Sequence, residues 1–221
     1  FVSLVGESGC GKSTVASLIL GRNRQYQGRI LLGGTDLKKI KEKSLMEHVT
    51  LVRHNSYLFK GTVEENLLMG NPNATQEEMT EALKKVNLWE FLKGQEGLST
   101  KLAEKGSNFS GGQCQRLCIA RALLHDTEIY IFDEAASNID MESEEIIMDV
   151  IRQLAETKTV LLISHRLANV KKSHCIYVLK EGKIVEKGTH KELLEQQGAY
   201  KEMYMTQKNL ENYGLEQEAS A

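Results

Sequence analysis

Gly6-Glu7-Ser8-Gly9-Cys10-Gly11-Lys12-Ser13-Thr14 fits the phosphate-binding pattern G-x-x-x-x-G-K-[ST] at every fixed position, and its reading decides the fold. The three glycines let the backbone turn tightly and aim its N–H groups inward, where no side chain blocks a phosphate. Lys12 is placed to reach the β- and γ-phosphates of a nucleoside triphosphate, and Ser13 to offer a hydroxyl to magnesium. A helix beginning near Lys12 adds its positive end to the same anion. The flanks agree. Val2-Ser3-Leu4-Val5 reads as a short buried strand, and Val15, Ala16, Leu18, Ile19 and Leu20 as an apolar helix.

Composition bounds the rest. With 221 residues, 41% of them hydrophobic and 26% charged, the chain can bury one large core or a core with a satellite. A formal net charge of -2 makes no electrostatic case for nucleic acid. No apolar run of membrane-spanning length and no signal-peptide pattern is present, so this stretch is expected neither to cross a membrane nor to be secreted. Cys10, Cys114, Cys118 and Cys175 lack zinc-site spacing and suit a reducing cytosol. A thiol adduct on Cys10, inside the phosphate loop, is expected to fill the cradle and block nucleotide. The chain opens at Phe1 directly on the strand that feeds the loop, which reads as a fragment of a longer polypeptide.

Downstream, Gly28 to Leu32 with the Gly33-Gly34 turn reads as a strand and hairpin, Asp36 to Lys43 as a polar connection, and Val49 to Val52 as a strand. Thr62 with Glu65 and Thr75 with Glu78 are capping boxes that open helices. Met79, Ala82, Leu83 and Val86 mark one buried helical face, and the span 72–108 is expected to be a helical subdomain without strands. A helix from Ser110 leads into the apolar strand Ile129-Tyr130-Ile131-Phe132, which ends on Asp133-Glu134. Further on come a helix over 142–156, the strand Thr159 to Ile163 ending on Ser164-His165, a hairpin across Glu181-Gly182, and a helix capped by Thr189 and Glu192. Residues 211–221 read as a polar, frayed tail. Strands alternating with helices around a phosphate loop predict an α/β fold with a mostly parallel sheet and ligands at the strands' carboxyl ends.

Two carboxylates where a buried strand emerges can divide the work of nucleotide hydrolysis. Asp133 would hold magnesium through water, and Glu134 would polarise the attacking water. Phe109-Ser110-Gly111-Gly112-Gln113 opens a helix with a serine and two glycines, a second cradle for phosphate. Because the Gly6 loop already supplies one cradle, a second makes sense if it caps a nucleotide held by another copy. Ser110 is also, by residue type alone, an ordinary helix N-cap.

Phe109 to Gln113 resembles the signature motif, usually Leu-Ser-Gly-Gly-Gln, of ATP-binding cassette (ABC) proteins. In that family it lies, as here, between the phosphate loop and the Asp-Glu strand. The resemblance covers nearly the whole chain. It implies a RecA-like P-loop core split over 1–71 and 109–210, an all-helical signature subdomain at 72–108, and a small, partly truncated antiparallel β part. It also implies two identical or different cassettes facing head to tail, each ATP with magnesium lying between the phosphate loop (Gly6, Glu7, Ser8, Gly9, Cys10, Gly11, Lys12, Ser13 and Thr14) of one and the signature (Ser110, Gly111, Gly112 and Gln113) of the other. Ser137-Asn138-Ile139-Asp140 is similar to the D-loop, with Asn138 where alanine is usual and Asp140 near the nucleotide. His165 is similar to the switch histidine on the γ-phosphate, so the catalytic set is Glu134, His165 and Lys12.

Thr100 to Gly106 and Leu58 to Val63 resemble loops of exporter-type cassettes. They imply a membrane domain fused upstream and a place at the cytoplasmic face of the membrane. The aromatic that stacks on adenine in the family would then precede Phe1. One position departs from the pattern, because the Q-loop glutamine aligns with His54. The metal set is therefore Ser13, Asp133 and His54, and protonation of His54 below about pH 6.5 is expected to weaken coupling. A fainter resemblance is to exporters of thiols and of cytochrome bd assembly. Two other readings stay open: a soluble ABC clamp acting in DNA repair or translation, which the lack of basic excess and of a coiled-coil insertion disfavours, and a P-loop kinase, which leaves Ser110 to Gln113 without a purpose.

Overall fold

Short apolar runs bounded by glycine turns and capped helices alternate along the chain, and the computed structural model describes residues 1–218, with side chains through 210. The first half holds β1 (Val2–Val5), α1 (Lys12–Ile19), β2 (Leu31–Leu32), β3 (Thr35–Asp36), α2 (Glu42–His48), β4 (Val49–Arg53), β5 (Gly61–Thr62), α3 (Val63–Leu68), α4 (Gln76–Lys85) and α5 (Trp89–Lys93). Then follow β6 (Lys101–Leu102), α6 (Gly111–His125), β7 (Ile129–Asp133), α7 (Met141–Leu154) and β8 (Thr159–Ile163). The last elements are β9 (Cys175–Lys180), β10 (Lys183–Gly188), α8 (His190–Glu195) and α9 (Ala199–Glu218). They fall into two units, Phe1–Lys39 with Leu161–Ala221, and Ile40–Val160.

In the first unit β1 lies parallel to β8 on one side and to β9 on the other, with Val2 opposite both Leu161 and Cys175. This central place explains its apolar run, since Ser3 and Val5 are fully buried and Leu4 nearly so. β10 returns antiparallel to β9 through Glu181 (φ 49) and Gly182 (φ 75), a turn that needs two positive φ angles. In the second unit β4 runs parallel to β7 in register from Val49↔Ile129 to Arg53↔Asp133. The expected α/β class with mostly parallel pairing is therefore present. Thr62, Thr75 and Thr189 each close the capping box that their spacing predicts, and Ser110, read as an ordinary N-cap, closes a further one with Gln113.

Three local expectations differ from what forms. The polar connection expected over Asp36 to Lys43 gives way at Glu42 to α2, whose one buried residue, Leu45, is too little apolar pattern to reveal a helix. The span 72–108 carries β6, whose two residues pair with β5 and are too few to show alternation. The polar end beyond Leu210 continues α9 to Glu218, and residues 219–221 lie outside the described residues.

α9 is docked by its first turn. Tyr200 is fully buried, and its hydroxyl lies 2.7 Å from His190 Nδ1. Edge-on contacts of the His190 ring with Tyr200 and Tyr204 complete the cluster. Burial, and after it the charge of Lys171, holds the His190 pKa below its ordinary value. The unfolded chain then binds the proton more readily than the folded one. Stability from neutral His190 is thus complete above the ordinary histidine value of about 6.5 and is lost as pH falls through the lower folded value. Denaturant melts should show a larger loss between pH 7 and pH 5 in the wild type than in His190→Gln; equal losses would refute the coupling.

Candidate functional site

Strand β1 delivers the chain into the phosphate loop, whose backbone takes positive φ at Gly6 (152), Gly9 (81) and Gly11 (110). A Cβ on Gly6 would sit 2.1 Å from the Leu179 carbonyl oxygen, so the loop lies directly on β9. The Gly182 N–H donates to Cys10 O at 3.0 Å and straps the loop to the β9–β10 turn. α1 begins from Gly11, a glycine that supplies no side-chain cap. Lys12 is buried, and its ammonium donates to Gly6 O and Glu7 O, both at 2.9 Å. Its remaining partner is Cys10 Sγ at 3.9 Å, so a buried cation is met only by carbonyls and a thiol. That arrangement fits a polyanion, whose charge would offset the cost of burying the ammonium. Cys10 itself is buried, which limits its thiol to small reagents. Ser13 and Thr14 stand exposed at the start of α1.

A cavity of about 580 Å³ opens beside the loop, lined by Gly6 to Cys10, His165 and the α9 residues Glu202, Thr206 and Gln207 among others. The first unit thus brings the phosphate loop and the predicted switch histidine to one cavity. His165 is exposed in the turn after β8, between buried Ser164 and buried Leu167.

The second unit gathers the other predicted residues. Asp133 is buried at the end of β7, and Glu134 follows at φ 54, a left-handed conformation rare for a glutamate and typical of functional turns. Opposite Asp133 in the sheet register stands Arg53, with Nε 3.5 Å from Asp133 Oδ2. His54, next in sequence, is exposed in the turn after β4. One face of α6 holds this turn by its carbonyls. Gln115 Nε2 donates to Arg53 O at 3.0 Å, Cys118 Sγ to Ser56 O at 3.5 Å, and Arg121 to Tyr57 O at 2.9 Å. Burial pushes the Cys118 thiol up to about 11, so it remains a donor at neutral pH.

At the start of α6, Ser110 Oγ accepts from Gln113 N at 3.2 Å, and Gln113 Oε1 accepts from Ser110 N at 2.9 Å. Both readings of Ser110 meet here, because the N-cap forms and the residue is exposed. The glycines differ. A Cβ on Gly111 would meet nothing within 4 Å, whereas one on Gly112 would lie 2.1 Å from Ser143 Oγ and 2.7 Å from Asp140 Oδ2. Asp140 caps α7 through Ser143 N at 2.8 Å, and that bond holds its carboxyl below the usual range. Phe109, where leucine is usual, packs edge-on against Phe91 at 5.5 Å.

The ABC transporter family model matches residues 1–137, from the phosphate loop through Asp133 and Glu134. The chain belongs to the ABC transporter family. An ABC transporter ATP-binding protein of Haemophilus influenzae is 54% identical over 207 residues, 94% of this chain and 37% of that protein. A putative multidrug export ATP-binding/permease protein of Staphylococcus aureus is 42% identical over 93% of this chain and 36% of its own length. Among solved structures, a bacterial Atm1-family ABC exporter with ATP bound superposes with a TM-score of 0.88 at 36% identity, over 93% of this chain and 36% of that one. The chain therefore spans little more than a third of the proteins it matches, and its fold is that of an ABC ATPase domain. Among the described residues, no helix is long and apolar enough to cross a membrane.

Sequence reasoning missed three residues around this ABC site. Arg53 stands beside Asp133, and only its place before His54 at a strand end could have drawn attention to it. Gln115 and Gln207 act through loops 62 and 40–42 residues away, which no local pattern encodes. The phosphate loop yields a direct test. Gly6→Ala should cost about 2–3 kcal/mol in denaturant melts, because neither the Leu179 carbonyl nor the loop can yield without distortion. Gly9→Ala, free of any contact within 4 Å, should cost about 1 kcal/mol from its positive φ alone. Equal costs would refute the packing argument.

Proposed function

We propose that the chain is the ATP-hydrolysing cassette of an exporter-type transporter, working with a second cassette head to tail. The observation that carries this reading is a pair of unlike glycine-rich helix starts on one chain, each suited to phosphate. One surrounds the buried Lys12 ammonium, and the other is the exposed helix start at Ser110 with Gly111 open to approach. In the proposed arrangement Gly6 to Thr14 hold the phosphates, Glu134 orients water, and His165 steadies the γ-phosphate. Ser110 to Gln113, with Asp140, complete the site of the partner cassette. Magnesium, which would neutralise charge on the phosphates, is assigned to Ser13 and Asp133 with His54 in the glutamine's place. Asp133, whose carboxylate lies 3.5 Å from Arg53 Nε, would hold the ion in place of that contact.

Residues 1–71 and 109–210 are assigned to the ATPase core and 72–108 to a helical subdomain. The exporter-like names of the relatives support a membrane domain joined to this cassette, with the cassette at the cytoplasmic face. For the cargo, the support is sequence resemblance alone, to exporters of thiols and of cytochrome bd assembly.

Magnesium-dependent ATPase activity measured against protein concentration tests the proposal. The rate per chain should rise steeply with concentration, and Glu134→Gln with ATP should elute as a dimer. A concentration-independent rate with a monomeric mutant would overturn the head-to-tail mechanism.

A further inference from the structure

The turn that presents His165 is gripped by one side-chain amide from the far end of the chain. Gln207, on α9, accepts from Leu167 N at 2.9 Å through Oε1, and its Nε2 donates to the carbonyl of His165. A carboxamide carries both an acceptor and donors, so a single side chain ties the peptide groups on both sides of Arg166. Upstream, Ser164 N reaches Leu4 O at 3.4 Å, and Ser164 Oγ accepts from Arg166 N at 3.0 Å. The histidine backbone is therefore held from the sheet on one side and from α9 on the other.

α9 is itself fixed. The Glu186 carboxylate of β10 accepts from Ala199 N and, at 3.1 Å, from Tyr200 N, and the buried Tyr200 ring seats the first turn. Glu202, Met203, Thr206 and Gln207 recur at helical spacing and line the cavity shared with the phosphate loop and His165. An anchored helix that walls the cavity and clamps the histidine turn has the form of a support for a reacting group.

We propose that Gln207 is a positioning residue for His165, through which α9 sets where the imidazole stands beside the phosphate loop. This rests on reading His165 as the γ-phosphate contact. A tether that only docked α9 would affect stability, whereas a tether that positions a contact affects turnover and does so only while the histidine is there.

The test is a double-mutant cycle in the full chain, with ATP affinity and Leu167 amide exchange read alongside. Gln207→Ala should lower kcat about tenfold and leave ATP affinity within about twofold. On a His165→Ala background the same change should cost nothing more. The Leu167 amide should exchange about fivefold faster in Gln207→Ala, as expected for one lost hydrogen bond. If that variant folds poorly, Gln207→Glu keeps the acceptor for Leu167 and loses the donor, and it should lower kcat in the same sense. An unchanged kcat, unchanged exchange, or a further loss on the His165→Ala background overturns the proposal while the hydrolysis reading stands. A wild-type rate in His165→Ala overturns both.

Discussion

The buried ammonium of Lys12 governs how the first unit is built. A cation below the surface must be compensated, and two loop carbonyls at 2.9 Å take two of its three donors without neutralising its charge. Those carbonyls point inward only because the loop turns through positive φ at Gly6, Gly9 and Gly11, and Gly6 can lie against Leu179 only without a side chain. β1 therefore has to sit between β8 and β9, so that the loop leaves the sheet where the Leu179 backbone supports it and the Gly182 N–H can strap it. Ligand sites at the carboxyl ends of parallel strands follow from this arrangement. The apolar run Val2 to Val5 is its sequence trace.

The second unit is organised by α6, whose two ends and one face have different partners. Its start is exposed and self-capped at Ser110, while Gly112, two residues later, must remain glycine because Ser143 and Asp140 fill the space a Cβ would need. Farther along, Gln115, Cys118 and Arg121 fall at three-residue spacing and hold the carbonyls of Arg53, Ser56 and Tyr57. A shift of α6 would thus move the turn that carries His54. The same turn begins at Arg53, beside the Asp133 carboxylate. The helix that starts at Ser110, the turn that carries His54 and the strand end at Asp133 form one mechanically connected set within this unit.

What could be read in advance was local. The phosphate loop, the three capping boxes opened by threonine, the strand ending on Asp133 and the buried face of α4 each write themselves within a few residues. The contacts that escaped are polar ones between distant segments. Gln207 on His165, Glu186 on Ala199 and Gln115 on Arg53 join backbone groups to ordinary-looking polar residues, and nothing in a glutamine's neighbours marks it as a clamp. Phe109 shows the reverse case. It departs from the expected leucine, and the edge-on ring of Phe91 accounts for it. Strong periodicity finds elements, while the groups that position a site are fixed by tertiary geometry.

The two cradles also differ in what they can do alone. At the phosphate loop the first turn of α1 has no side-chain cap, and a buried cation stands behind it, so an anion gains both backbone donors and charge. At Ser110 the capping box already uses the N–H groups of Ser110 and Gln113, and the site lies exposed to water. Donors that are satisfied and solvated add little to an anion in solution, and they gain strength only where water is excluded. In the proposed head-to-tail arrangement this would set an order. ATP would settle first on the loop of one cassette, and the Ser110 helix start of the other would contribute once water between them was removed. The weaker of the two sites would then be the one that makes nucleotide binding depend on a second chain.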